Sequence, residues 1–325
     1  MHLAISLNIA AVKGQAVLDF GEIKTFVRAA EAAGIDMVVI SDSAEGLSSS
    51  PFEATTLLAS LATVTDKIGL VASASTVAHQ PYNLARRFAS LDIISHGRAG
   101  WHATMAQGPR EAANFSLPEG FSDTDFRRRS EEYIGIVQGL WQGWDADALL
   151  FDKTGGRFHD PEKMHLLDHK GEFFSVRGPL NVARSPQDSP VLVLSDLSEP
   201  DLDIAARTAD VILLESGSVD SAKARFDDLK RRAVAAGRDP DAVKVLTNIS
   251  LAADDGPTAA ADRLESQFRA KSCDGFNIQL PEPGLALDDF VDHILPELRQ
   301  RGLVQKGYRG TTLRSHLGLD GGGDQ

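Results

Sequence analysis

The 325-residue chain has a single cysteine, Cys273, which excludes an internal disulfide framework and fits a reducing compartment. That residue reads as a small buried side chain in preference to a nucleophile. No stretch approaches the roughly 20 apolar residues that a membrane-spanning helix needs. The first residues, MHLAISLNIAA, lack a basic region ahead of an apolar core and read as a strand, not as a signal peptide. These absences point to a cytoplasmic protein. Positive charge is also scarce: 33 Lys and Arg against 46 Asp and Glu leave a formal charge of −13. Nucleic acid and anionic membrane need a basic footprint that no extended stretch supplies. The local exception is the triplet Arg127, Arg128 and Arg129, which is either a small basic patch or the solvated start of a helix. No Ser-His-Asp set and no metal-ligand cluster stands out, so no catalytic residue is assigned and no metal is expected.

What is present is an alternation. With 42% hydrophobic and 24% charged residues the chain has ordinary globular proportions, and its length suits one barrel domain. Residues 3 to 9 form the first strand; Phe20, Ile23, Phe26, Val27 and Ala30 then recur at helical spacing until Gly34. Further strands are expected at 37 to 41, 67 to 73, near 99 to 104, 190 to 195, 210 to 215, 242 to 252 and 275 to 280, each followed by a helical pattern. Eight strand-helix pairs favour a closed (β/α)8 barrel over an open sheet. Residues 1 to 319 form the domain, and the glycine-ended tail, 320 to 325, should fray. The segment 145 to 189, between strands four and five, breaks the rhythm with Gly, Pro, Asp and His. So long a connection reads as a lid or as a structural insertion over the barrel's end.

Three long stretches carry a family resemblance: FEATTLLASLATVTDKIGLVASASTVAHQPYNLARRFASLDIISHGRAGWHAT at 52 to 104, LLFDKTGGRFHDPEKMHLLDHKGEFFSVRGPLNVARSPQ at 149 to 187, and RGLVQKGYRGTTLRSHLGL at 301 to 319. With DGFNIQL at 274 to 280 they resemble the luciferase-like monooxygenases typified by nitrilotriacetate and dibenzothiophene-sulfone monooxygenase. The resemblance implies a TIM-type barrel that takes reduced flavin mononucleotide (FMN) from a separate reductase and uses O2 to oxygenate a small organic substrate. In such chemistry the protein supplies binding, orientation and exclusion of water. A homodimer or higher homo-oligomer is also implied.

Barrel sites lie at the C-terminal ends of the strands, so the candidate residues follow each apolar run. Asp42 stands where the family has an acidic residue near the flavin ring; the alternative is an Asp that caps the next turn or helix. Ser73, Ser75 and Thr76 lie in the segment that the family places along the ring, and Thr76 is the foremost candidate. In GWHATMAQ, His102 replaces a family Asn, while Met105 and Ala106 replace a Thr-Ser pair; Thr104 remains. His102 is either a donor to the flavin or a satisfied structural residue. Asp123 and Arg127 replace a His and a Tyr that help hold the flavin and its phosphate.

After strand five, the family's phosphate-cradling Gln-Ala-Gly-x-Ser segment corresponds to Leu194, Ser195, Asp196, Leu197 and Ser198. Ser198 is kept, but Asp196 and Asp201 replace glycines, and their charge opposes a phosphate unless Arg127 compensates. The family's His-rich stretch after strand one is absent, and the connection between strands seven and eight is short. Two functions follow: an FMN-dependent monooxygenase whose cofactor contacts are Asp42, Thr76, His102, Thr104, Arg127 and Ser198, or a non-catalytic paralogue that serves as a partner subunit or small-molecule binder.

Overall fold

The computed structural model describes residues 1–10, 18–42, 50–108, 113–115, 119–250, 256–280 and 287–319. In chain order the first half holds β1 (His2–Asn8), α1 (Phe20–Ala32), β2 (Met37–Ser41), α2 (Ala54–Ala62), β3 (Gly69–Ser73), α3 (Pro81–Ile94), β4 (Ala99–Thr104) and α4 (Asp123–Trp141). Two antiparallel ribbons follow, β5 (Leu149–Asp152) with β6 (Arg157–His159) and β7 (His169–Lys170) with β8 (Ser175–Val176). The second half contains β9 (Val191–Ser195), α5 (Leu202–Thr208), β10 (Val211–Leu214), α6 (Val219–Ala235), β11 (Lys244–Ser250), α7 (Pro257–Arg269), β12 (Gly275–Gln279) and α8 (Leu295–Gln300). A short α9 (Leu313–His316) closes it. Among the described residues, eight parallel strands close in the order β1-β12-β11-β10-β9-β4-β3-β2, the barrel that the strand-helix count predicts.

Local chemistry explains where the elements start and stop. Asp19 opens α1 through a reciprocal capping box with Glu22, each side chain accepting the other's backbone N–H at 2.8 Å. The buried face of that helix, Ile23, Phe26, Val27 and Ala30, is the predicted stripe. Pro81 begins α3, where its missing N–H costs no hydrogen bond. Outside the barrel wall, Trp101 on β4 packs against Phe88, Tyr133 and Trp141, with ring centroids 6.0 to 6.4 Å apart, which fixes α3 and α4 against the sheet.

The barrel interior has a floor. Ala4, Met37, Val39, Val71, Val191, Val193, Val211, Leu213 and Leu246 meet inside it and pack on Leu313, Leu317 and Leu319 from the C-terminal segment. Gly100 makes room for that plug: a Cβ there would sit 3.1 Å from the Val191 carbonyl oxygen and 2.9 Å from Val71 Cγ2. The C-terminal segment is therefore docked through Leu319, and the fraying expected of the tail falls on residues 320–325, outside the described ones.

The β7–β8 ribbon of the 145–189 segment is fastened to α4. Glu132 of α4 accepts the backbone N–H groups of Phe173 and Phe174 at 3.0 and 2.9 Å and pairs with His169 at 2.9 Å. Trp144 Nε1 donates to the Leu180 carbonyl at 2.7 Å. At the segment's exit, Ser185 and Gln187 hydrogen-bond to the buried carboxylate of Asp92, which fastens it to α3. Among the described residues, no helix is long and apolar enough to cross a membrane.

Candidate active site

Along each barrel strand the inward positions alternate, so the residues two further on from the apolar layer form the next layer towards the C-terminal mouth. That layer is polar. On one side, Ser73 (β3), His102 (β4) and Ser195 (β9) meet across three neighbouring strands. His102 Nδ1 lies 2.7 Å from Ser73 Oγ, and Nε2 lies 2.8 Å from Ser195 Oγ. Ser195 Oγ in turn donates to Asp196 Oδ2 at 2.9 Å. This direction assigns the tautomer. A serine that gives its proton to Asp196 must accept from His102 Nε2–H, so the bare Nδ1 accepts from Ser73. Burial, only partly opposed by the charge of Asp196, lowers the His102 pKa to about 4, so the ring is neutral at pH 7.

On the opposite side, Asn277 donates to Ser6 Oγ and to Asn248 Oδ1, both at 2.8 Å, and Asn248 donates to Glu215 Oε1 at 2.7 Å. The mouth therefore holds two hydrogen-bonded networks above an apolar floor. Sequence reading did not single out Asn248, Asn277 or Glu215. The signal was an Asn at an inward position within each of the strands LTNIS and GFNIQ.

The other candidate residues separate into groups. Thr76 is buried, with Oγ1 3.3 Å from Ser130 Oγ of α4, and its carbonyl accepts Arg129 Nη1 at 2.9 Å. Ser75 makes turn chemistry, accepting the backbone N–H of Val77 at 3.0 Å. Asp42 accepts the N–H of Ala54, the first residue of α2, at 2.8 Å, and burial raises its carboxyl pKa. Thr104 Oγ1 donates to the Ala106 carbonyl at 3.2 Å; Met105 is buried and Ala106 exposed.

The three consecutive arginines are neither one basic patch nor a uniformly solvated helix start. Arg127 pairs with Asp201, Arg128 with Asp125 and Glu172, and Arg129 is buried beneath Phe121, Tyr133 and Phe174.

Ser198 and Arg127 come together, as the sequence expected, but through a third residue. Arg127 Nε donates to Asp201 Oδ1 at 2.8 Å, Ser198 N–H donates to Asp201 Oδ2 at 2.8 Å, and the Ser198 hydroxyl donates to that same oxygen. Asp196, one turn earlier, has a φ of +56°, a left-handed conformation that suits glycine and that Asp tolerates. Asp123 is exposed in the first turn of α4, four residues before Arg127 and hence on the same side of the helix. Residues 11–17, 43–49, 109–112, 116–118, 251–255 and 281–286, which include the altered stretch after strand one, lie outside the described residues.

Cys273 is buried, and burial raises its thiol pKa to about 11, as a structural cysteine requires. Among the described residues, no group of three or more His, Cys, Asp and Glu side chains is arranged to hold a metal ion.

A parallel barrel with a polar C-terminal mouth supports many chemistries, and comparison with known proteins narrows the choice. Residues 1–299 match the family model described as luciferase-like monooxygenase. The chain belongs to that family. It is 33% identical to N-acetyl-S-(2-succino)cysteine monooxygenase of Bacillus subtilis (strain 168), over 98% of this chain and 94% of the relative. It is 36% identical to dibenzothiophene-sulfone monooxygenase of Rhodococcus erythropolis, over 82% of this chain and 79% of that one. The fold superposes on EDTA monooxygenase from Chelativorans sp. BNC1 with a TM-score of 0.88 at 23% identity, covering 98% of both chains. These luciferase-like relatives bear out the resemblance carried by the three long motifs.

Proposed function

We propose that the chain is a two-component, flavin-dependent monooxygenase that oxygenates a small organic molecule at the C-terminal mouth of its barrel, with reduced flavin delivered by a separate reductase and O2 as oxidant. The observation that carries this reading is the Ser73–His102–Ser195 network, a dry-floored polar cluster at the end of the barrel where such folds do their chemistry. The supplied flavin brings the redox chemistry. The residues present match a flavin unevenly. Ser73 and Thr104 end β3 and β4 and Asp42 follows β2, so hydroxyls and a carboxylate stand at the mouth for a polar ring system, while His102 and Thr76 are buried and already paired behind them. The phosphate of FMN does not fit the other end, because the Asp201 carboxylate already takes both Ser198 donors and the Arg127 Nε and sets a negative charge there.

The part played by the chain itself follows from the network. His102 keeps a proton on Nε2 because Ser195 and Asp196 hold it there, and it stays uncharged because it is buried. Ser73 spends its own proton on His102 Nδ1, which leaves its oxygen to accept from a ligand N–H. The apolar layer beneath keeps water out of the barrel.

The test is titration of the purified protein with flavins in oxidised and reduced form, followed by substrate-dependent O2 consumption with an added flavin reductase. Thioethers and sulfones head the substrate panel because the two relatives named above act on sulfur compounds. Saturable flavin binding with turnover is the expected result; failure to bind any flavin overturns the reading. A second reading, a non-catalytic partner subunit, draws on the Asp201 pairing. It predicts binding without turnover, or no binding at all.

A further inference from the structure

We propose that the Asp201 carboxylate is a built-in anion standing where a cofactor phosphate would, so that the chain takes a flavin without a terminal phosphate, an isoalloxazine carrying only its polyol, in preference to FMN. The inference rests on the flavin reading above and deepens it by naming the class of flavin.

Three donors converge on this one side chain. The Ser198 N–H and the Ser198 hydroxyl share Oδ2, and Arg127 Nε takes Oδ1 at 2.8 Å. A hydroxyl, a backbone N–H and a guanidinium form the kind of donor set that binds a phosphate oxygen. Here both Ser198 donors and the Arg127 Nε are spent inside the chain. Asp201 is only 3% exposed and closes the reciprocal cap with Ser198, so it cannot swing aside without unmaking the start of the helical segment that leads into α5.

Among the described residues, the nearest further cation does not compensate. Arg232 of the adjoining α6 is held by Glu199, Asp203 and Asp228, each at 2.7 Å. Asp196 is exposed on the same loop and adds a further negative charge. An incoming dianion would thus meet a carboxylate on its donors and another beside them, whereas a neutral polyol meets no such repulsion and has acceptors to donate to.

The inference is tested by measuring binding of riboflavin and of FMN, by flavin fluorescence and calorimetry, to wild type, Asp201→Asn and Asp196→Gly. Wild type is expected to bind riboflavin about tenfold more tightly than FMN, a difference worth about 1.4 kcal/mol. Asp201→Asn keeps the size of the side chain and removes the charge, so FMN binding should strengthen about tenfold with riboflavin binding nearly unchanged. Asp196→Gly suits the positive φ and leaves the Asp201 cap intact but takes the acceptor from Ser195, so it is read as the ratio of FMN to riboflavin affinity, which should rise severalfold, and it stands in if Asp201→Asn fails to fold. FMN bound as tightly as riboflavin by wild type overturns the inference and leaves the flavin reading standing. Failure of wild type to bind either flavin overturns both. An FMN affinity that neither substitution improves overturns the assignment of the carboxylates.

Discussion

The floor and the mouth of the barrel are built from the same strands, yet they solve opposite problems. The floor buries Val71, Val191, Val193 and Leu246 on a leucine plug from the C-terminus, and nothing there needs a hydrogen-bond partner. Two residues further along the same strands, the mouth holds the half-buried Ser73 and the buried Ser195 and Asn248, and every one of them is paired. A floor residue can be exchanged for another of similar volume at small cost; a mouth residue is tied to particular partners on neighbouring strands. The difference separates what holds the barrel shut from what gives it a surface on which to recognise a ligand.

The sharpest way to break that comparison is to remove the plug. Leu313 is fully buried between β3, β4 and the rest of the floor, so Leu313→Ala leaves a cavity in a place that cannot collapse. We expect a loss of roughly 3–5 kcal/mol in urea unfolding, with flavin affinity of the folded protein little changed. A loss under about 1 kcal/mol, in the range of volume-conserving core changes, would show that the plug is ornamental.

A pH titration probes the mouth in turn. The His102 pKa falls from an ordinary 6.5 to about 4 in the folded chain, so below pH 6.5 the unfolded chain takes up a proton that the folded one refuses. Stability should therefore decline as pH falls from 6.5 to 4, by roughly 3 kcal/mol at most from this group, and level off below. Following the urea midpoint across that window in wild type and His102→Asn checks it; identical slopes would remove His102 from the account. On the far side of the mouth, Asn277→Ala strips Ser6 of a donor and leaves Asn248 Oδ1 unpaired. The expected cost is roughly 2 kcal/mol, measured the same way.

The sequence made the floor legible and much of the mouth obscure, for physical reasons. Strand-helix alternation shows in periodicity, and all eight strands of the barrel lie where the apolar runs are. The plug does not show, because α9 is a single turn whose importance comes from where it docks and not from its pattern. The ribbons β5 to β8 are two to four residues long and largely exposed, so no alternation marks them; their anchors, such as Glu132, are distant in sequence. At the site, Asp201 was conspicuous in the sequence as a carboxylate in place of a glycine. That it takes both Ser198 donors and Arg127, 74 residues away, is a fact of the fold. Arg129 gave no warning at all: a guanidinium between two exposed-looking neighbours turned inward among aromatic rings.

That last contrast yields the smallest effect and the finest test of the mouth's wall. Arg128 sits at the outer surface of α4, half exposed, paired with Asp125 at 3.5 Å and with Glu172, and lies 5.7 Å from the Phe173 ring. Pairs of this kind gain little in water because solvent screens them and two long side chains must be held still. Arg128→Ala should therefore cost about 0.5 kcal/mol, diminishing further in high salt. Its neighbour Arg129 is enclosed by Phe121, Tyr133 and Phe174 and bonded to the Thr76 carbonyl, so Arg129→Ala removes packing and a hydrogen bond together. Unfolding of the two variants side by side at low and high salt would separate the cases. If Arg128 proved as costly as Arg129, the β7–β8 ribbon would be held to α4 by charge at its tip, and the wall beside Thr76 would owe its place to Glu172 as much as to Glu132.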